Sequence, residues 1–184
     1  MFKRKPLRAI AAALAFLFAL SGAVLVTPAR AAAPLVFRLR TADGGEITSE
    51  MLRGDVVVLA FGASWLPLSK SQVQKVQELA DAYGPRNVRV YWVSTDSVKP
   101  QSKNYASDEQ LRSFASKNGL KIAVLRDPDG ALFKQTGADQ LPSIVILDRE
   151  GEVSGAPIGG LDPDPQRKLT QALSPRLDKL LAGQ

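Results

Sequence analysis

One segment constrains the fold of this chain more than any other. Val56-Val57-Val58-Leu59-Ala60-Phe61 is an unbroken apolar run, led in by Asp55 and bounded by Gly54 and Gly62. A strand that shows no alternation between apolar and polar residues has no face for water, so it belongs at the centre of a sheet covered on both sides. Ser143-Ile144-Val145-Ile146-Leu147-Asp148 is a second run of the same kind. Between them the pattern changes to a helical period. Val73, Val76, Leu79, Ala80 and Tyr83 recur three and four residues apart, with Gln72, Lys75 and Glu78 assigned to the opposite, polar face, and Gly84-Pro85 ends the helix. Helices on both sides of buried strands define an α/β class.

The remaining segments extend this plan. Leu35, Phe37 and Leu39 alternate with Val36, Arg38 and Arg40, which predicts a half-buried strand ending at the turn Asp43-Gly44-Gly45. Val88, Val90 and Trp92-Val93 predict another strand, with Tyr91 and Trp92 as core residues. Ser107-Asp108-Glu109-Gln110 predicts a capping box ahead of a helix whose apolar face is Leu111, Phe114 and Ala115. A short strand is expected at Ile122 to Leu125 and a short helix from Gly130 to Thr136. Arg149-Glu150-Gly151-Glu152 predicts a hairpin turn into Val153, continued weakly by Ala156 to Gly160. Leu169, Leu173, Leu177, Leu180 and Leu181 predict an amphipathic closing helix, interrupted at Ser174-Pro175.

The N-terminal residues read as an address. Lys3, Arg4, Lys5 and Arg8 precede the apolar stretch from Ala9 to Val26, and Ala29-Arg30-Ala31 fits a small-residue cleavage site. The expected organisation is a signal peptide over 1–31 and one domain over 32–184. The protein would then be exported, to the periplasm if the source is Gram-negative. The alternative is an uncleaved inner-membrane anchor, since the apolar stretch reaches the lower edge of a spanning length. The leader also accounts for the charge. The formal net charge of the 184-residue chain is +6, but these four residues and Arg30 are basic, leaving 19 basic against 18 acidic residues. That balance offers no surplus for nucleic-acid binding.

Function is bounded by two absences: the chain contains no cysteine and no histidine. Zinc, copper and haem sites would lack their usual protein ligands, and no cofactor is expected. Asp127-Pro128-Asp129-Gly130 begins like a calcium loop, but its twelfth position is Ala138, so a tight turn is expected. Asp162-Pro163-Asp164-Pro165 is a stiff connector to the last helix. Gly155 to Gly160 lacks the lysine and hydroxyl residue of a phosphate-binding loop.

Several strings resemble the thioredoxin-like superfamily, specifically the exported TlpA/ResA branch related to AhpC/TSA. They are Leu52-Arg53-Gly54, Phe61-Gly62-Ala63-Ser64-Trp65-Leu66-Pro67-Leu68-Ser69, Asp127-Pro128-Asp129-Gly130, and Leu141-Pro142-Ser143 followed by Ile146 to Gly151. The resemblance implies a thioredoxin-like fold with a mixed central sheet flanked by helices, a terminal β-hairpin and a closing helix. It also implies a cis bond before Pro142 and a site where the family reads F-W-A-S-W-C-P-P-C. Leu66 and Ser69 occupy the two cysteine positions, so dithiol-disulfide exchange and thiol peroxidase chemistry are excluded. Ser69 has no histidine to activate it, Lys70 points elsewhere on the helix, and a helix N-cap or first-turn role is expected. Trp65, Leu66, Pro67, Leu68 and Ser69, with Leu141, Pro142 and Ser143, form the candidate surface for an extracytoplasmic protein or peptide. Leu66 and Leu68 either face a partner or turn inward as filling. A docking or chaperone-like module is the leading expectation. The alternatives are a non-thiol enzyme built around Ser69 and a structural subunit of a membrane-associated redox or maturation assembly.

Overall fold

The computed structural model describes residues 33–160 and 168–183. The proposed leader and the Asp162-Pro163-Asp164-Pro165 connector lie outside the described residues. By its internal contacts the chain divides into 1–30 and 31–184, and every described residue belongs to the second unit.

The order of elements is β1 (Arg38–Thr41), β2 (Glu46–Thr48), β3 (Val56–Gly62), α1 (Pro67–Tyr83), β4 (Val88–Ser94), α2 (Asp108–Lys117), β5 (Val124–Arg126), α3 (Ala131–Gln135), β6 (Ser143–Leu147), β7 (Ile158–Gly159) and α4 (Leu169–Ala182). The strands form one mixed sheet ordered β2-β1-β5-β4-β3-β6-β7. β4 runs parallel to β3 and β5, while β6 is antiparallel to β3 and β1 is antiparallel to β5. All seven residues of β3 are buried, as its unbroken apolar run requires.

The period of two along each strand divides the core between the two faces. Val56, Val58, Ala60, Val90, Trp92, Ile144 and Ile146 meet α1, α2 and α4, chiefly through Val73, Val76, Leu79, Leu111, Leu173 and Leu177. Val57, Leu59, Phe61, Val93, Val145 and Leu147 meet Leu132 of α3 and the N-terminal residues Leu35, Phe37 and Leu39. Each fully buried side chain of this size contributes about 1.5–3 kcal/mol relative to exposure, so the double-sided core replaces any need for disulfides. Trp92 stacks on Phe114 with ring centroids 5.3 Å apart, and Phe61 meets Phe133 edge-on at 5.5 Å.

Four expectations are corrected. The alternation at Leu35 to Arg40 is real, with Val36 69% exposed between buried neighbours, but only Arg38–Thr41 pairs as a strand. Glu46–Thr48, where no element is expected, form β2 against β1. Pro175 does not interrupt the closing helix. The carbonyl of Gln171, which the missing N–H of Pro175 would have left free, instead accepts the Ser174 hydroxyl at 3.3 Å. Gln72, assigned to the polar face of α1, is only 2% exposed. Its burial belongs to the site described next.

Candidate functional site

The site lies at the C-terminal ends of the parallel strands β3 and β4, where open α/β sheets leave a crevice. The chain leaves β3 at Gly62 and turns sharply into α1. Leu66 N–H donates to the Ala63 carbonyl, and Ser69 N–H to the Leu66 carbonyl, each at 3.0 Å. Pro67 opens the helix, where its missing N–H costs nothing. Leu66 stands at the cap position with no side-chain hydrogen bond to give.

Ser69 is a first-turn residue rather than the cap, and it is fully buried. Its Oγ accepts the Ala63 N–H at 3.2 Å, which holds the turn closed against the helix. Lys70 is exposed and shares a groove with Ser64 instead. Ser69 therefore has neither access to a substrate nor a base beside it among the described residues.

Beneath Ser69 lies a polar cluster that the sequence pattern does not reveal. Gln72 Nε2 donates to the Phe61 carbonyl at 3.0 Å and the Ser143 carbonyl at 3.3 Å, while its Oε1 accepts the Trp92 indole N–H at 3.0 Å. One side chain thus joins β3, β4 and β6 at the end of the sheet. Gly62 makes room for it. A Cβ there would lie 2.7 Å from Gln72 Oε1, 2.9 Å from Trp92 Nε1 and 3.0 Å from Ser69 Oγ. The family motif has tryptophan at the position of Gly62, so the space is filled here from α1 and β4. The only available signal was Gly62 itself, an interior glycine at the end of a strand.

Two further groups fix the loop from below. The Asp96 carboxylate, 1% exposed, accepts the Ser64 N–H and hydroxyl, each at 2.8 Å, and the Ser94 hydroxyl at 2.7 Å. Arg126, with a side chain 5% exposed, donates to Asp108 at 2.6 Å and to the carbonyls of Ala106 at 2.8 Å and Asp96 at 3.3 Å. The hydrogen bond from Arg126 holds the Asp108 carboxyl below its usual range against the opposing effect of burial; the charges of Arg126, Arg40 and Arg112 add to the lowering. The capping box expected at Ser107 and Gln110 is present. Asp127 forms a turn as expected, and its carboxylate also accepts the N–H groups of Leu132 and Phe133 at the start of α3.

The Leu141-Pro142 bond is cis. Pro142 and Ser143 are buried, and Leu141 is half-buried against the α3 side of the core. Ser143 pairs with Phe61 across β3 and β6, so Leu141 to Ser143 and Trp65 to Ser69 come to the same end of the sheet. At that end Trp65 is 52% and Leu68 48% exposed, Pro67 is exposed, and Leu66 is half-buried. The Ser143 hydroxyl is enclosed without a hydrogen-bond partner. Among the described residues, no group of three or more acidic side chains could hold a metal ion.

The family model described as AhpC/TSA matches residues 29–156. The chain is 26% identical over 154 residues to sporulation thiol-disulfide oxidoreductase A of Bacillus subtilis, covering 82% of this chain and 87% of that protein. It is 24% identical over 117 residues to thiol-disulfide oxidoreductase ResA of Bacillus thuringiensis, covering 64% and 62% respectively. Among solved structures, MTB dsbF in its mixed oxidized and reduced forms is similar at a TM-score of 0.62 and 25% identity, covering 79% of this chain and 96% of that one. The chain belongs to the AhpC/TSA family and has a thioredoxin-like fold, and it contains no cysteine.

Proposed function

We propose that this protein is an exported thioredoxin-fold module that has lost redox catalysis and binds protein or peptide segments through the surface of the former active site. The observation that carries this reading is the division of the motif between its two faces. Ser69, at the second cysteine position, is fully buried and hydrogen-bonded, whereas Trp65 and Leu68 stay half-exposed on the outside. Inward filling would have hidden Leu68 as well. Exposed aromatic and aliphatic side chains on a rigid turn suit capture of a partner.

Catalysis by Ser69 has little to support it, because an alkoxide needs a base and an open approach. Export rests on the basic and apolar N-terminal segment with its small-residue cleavage site. No helix among the described residues is long and apolar enough to cross a membrane.

A crosslinking pull-down from envelope extract tests the docking reading, using the full-length expressed protein and a Leu66→Asp, Leu68→Asp variant shown to be folded. Specific partners retained by the parent and lost by the variant are expected. Identical partner lists would remove the former active-site face from consideration.

A further inference from the structure

The docking surface carries a charge that the overall balance conceals. Residues 61–77 contain Lys70 and Lys75 and no acid, and residues 97–107 contain Lys99 and Lys103 and no acid. These two segments are held side by side. Ser64 is hydrogen-bonded to Asp96, and the loop that starts at the next residue, Ser97, returns through a bridge to Tyr105. That loop exposes Val98 (49%) and Tyr105 (36%), so the connection from β4 to α2 carries exposed apolar side chains of its own. Between α1 and α2, next to Ser64, runs a groove of about 420 Å³ lined by Lys70, Gln110, Ser113, Phe114, Lys117 and Asn118. Lys70, Lys99, Lys103 and Lys117 form no ion pair among the described residues. Asp96, the buried acid between the segments, is committed to Ser64 and Ser94. Asp108 is committed to Arg126 and Arg40. Exposed carboxylates include Glu109, beside Gln110 at the start of α2, and Asp129 and Asp139, on the connections after β5 and before β6.

We infer that the partner is an acidic polypeptide segment whose apolar side chains rest on Trp65, Leu68, Val98 and Tyr105 while its carboxylates pair with Lys70 and Lys117 along the α1–α2 groove. This rests on the docking reading above and specifies its partner. Polypeptide fits better than lipid or nucleic acid because the groove between the lysines is lined by amide and hydroxyl groups, which match a peptide backbone. Four lysines around an apolar centre are also sparse for a phosphate-tracking surface, which depends on many phosphate contacts.

Fluorescence anisotropy of two labelled peptides tests the inference with the full-length expressed protein. Both peptides carry the same leucine and phenylalanine residues, interspersed with glutamate in one and lysine in the other. The glutamate peptide is expected to bind about 10-fold tighter or more at low salt, with the advantage collapsing near 0.5 M salt because exposed charge pairs are screened over a few ångströms. A Lys70→Glu, Lys117→Glu variant, changed only at exposed positions, should reverse the preference.

Equal binding of the two peptides, lost in the Leu66→Asp, Leu68→Asp variant, would overturn the acidic assignment and leave the docking reading intact. Binding of neither peptide would overturn it as well. Salt-sensitive binding to phosphatidylglycerol vesicles that outcompetes the glutamate peptide would assign the lysines to a lipid surface instead.

Discussion

Replacing Gln72 by leucine keeps nearly the same volume in the core but deletes the bonds to Phe61, Ser143 and Trp92. At a net value of about 1 kcal/mol each, the three bonds represent about 3 kcal/mol, and the indole N–H of fully buried Trp92 is left without its acceptor at a further cost of about 1–2 kcal/mol. Greater apolar burial by leucine returns about 1–2 kcal/mol, so the expected net loss is about 3 kcal/mol. For a domain of this size that lowers Tm by roughly 6–12 °C. Urea denaturation followed by far-ultraviolet circular dichroism measures the loss, and a cycle with Trp92→Phe separates hydrogen bonding from packing. Removing both partners should be less costly than the sum of the single changes by about 1–2 kcal/mol. A Gln72→Leu protein within about 0.5 kcal/mol of the parent, or a coupling energy of zero, would refute the claim that this polar cluster secures the end of the sheet.

Asp96→Asn should cost about 2–3 kcal/mol by weakening charge-assisted bonds to Ser64 and Ser94, and should raise amide hydrogen exchange at Ser64. The Asp108 carboxyl has a folded-state pKa lowered from 3.8, so its contribution is present above that value and is lost as pH falls through the lower folded value. Denaturant midpoints below pH 4 should therefore fall more steeply for the parent than for Asp108→Asn. Gly62→Ala should destabilise by about 1–3 kcal/mol, read from thermal melts, because the added methyl enters contact with three polar side chains. A Leu66→Cys, Ser69→Cys variant should form an internal disulfide on mild oxidation and reduce insulin measurably above the parent. Two thiols that stay titratable after oxidation would show that the turn no longer has the geometry of the family motif.

The parts legible in the sequence were those governed by periodicity and by rigid local chemistry. β3 and β6 follow from unbroken apolar runs, α1 and α2 from their apolar spacing, the start of α2 from its capping box, and the cis bond from the resemblance around Pro142. β2 escaped because a single isoleucine between two polar residues on a sheet edge is too short a pattern to show a period, and its pairing is set by the neighbour it meets. Pro175 misled because the rule against interior proline assumes that the freed carbonyl stays unsatisfied, and Ser174 satisfies it. Gln72 misled for a deeper reason. Periodicity treats every amide as solvent-facing, whereas Gln72 finds partners on three strands that are distant in sequence. Asp96 and Arg126 were overlooked for the same cause: each looks like an ordinary polar residue at a strand end until the fold brings Ser64, Ala106 and Asp108 to it.

The placement of the two tryptophans supplies the molecule with an unmodified optical readout. Trp92 is sealed in the core, stacked on Phe114 and hydrogen-bonded to Gln72, whereas Trp65 stands half in solvent on the proposed docking face. Acrylamide in the native state will quench the red-shifted emission of Trp65 and leave the blue-shifted emission of Trp92 largely untouched. A ligand settling on that face therefore announces itself by shielding one fluorophore, while loss of the fold is reported by the other, in the same cuvette.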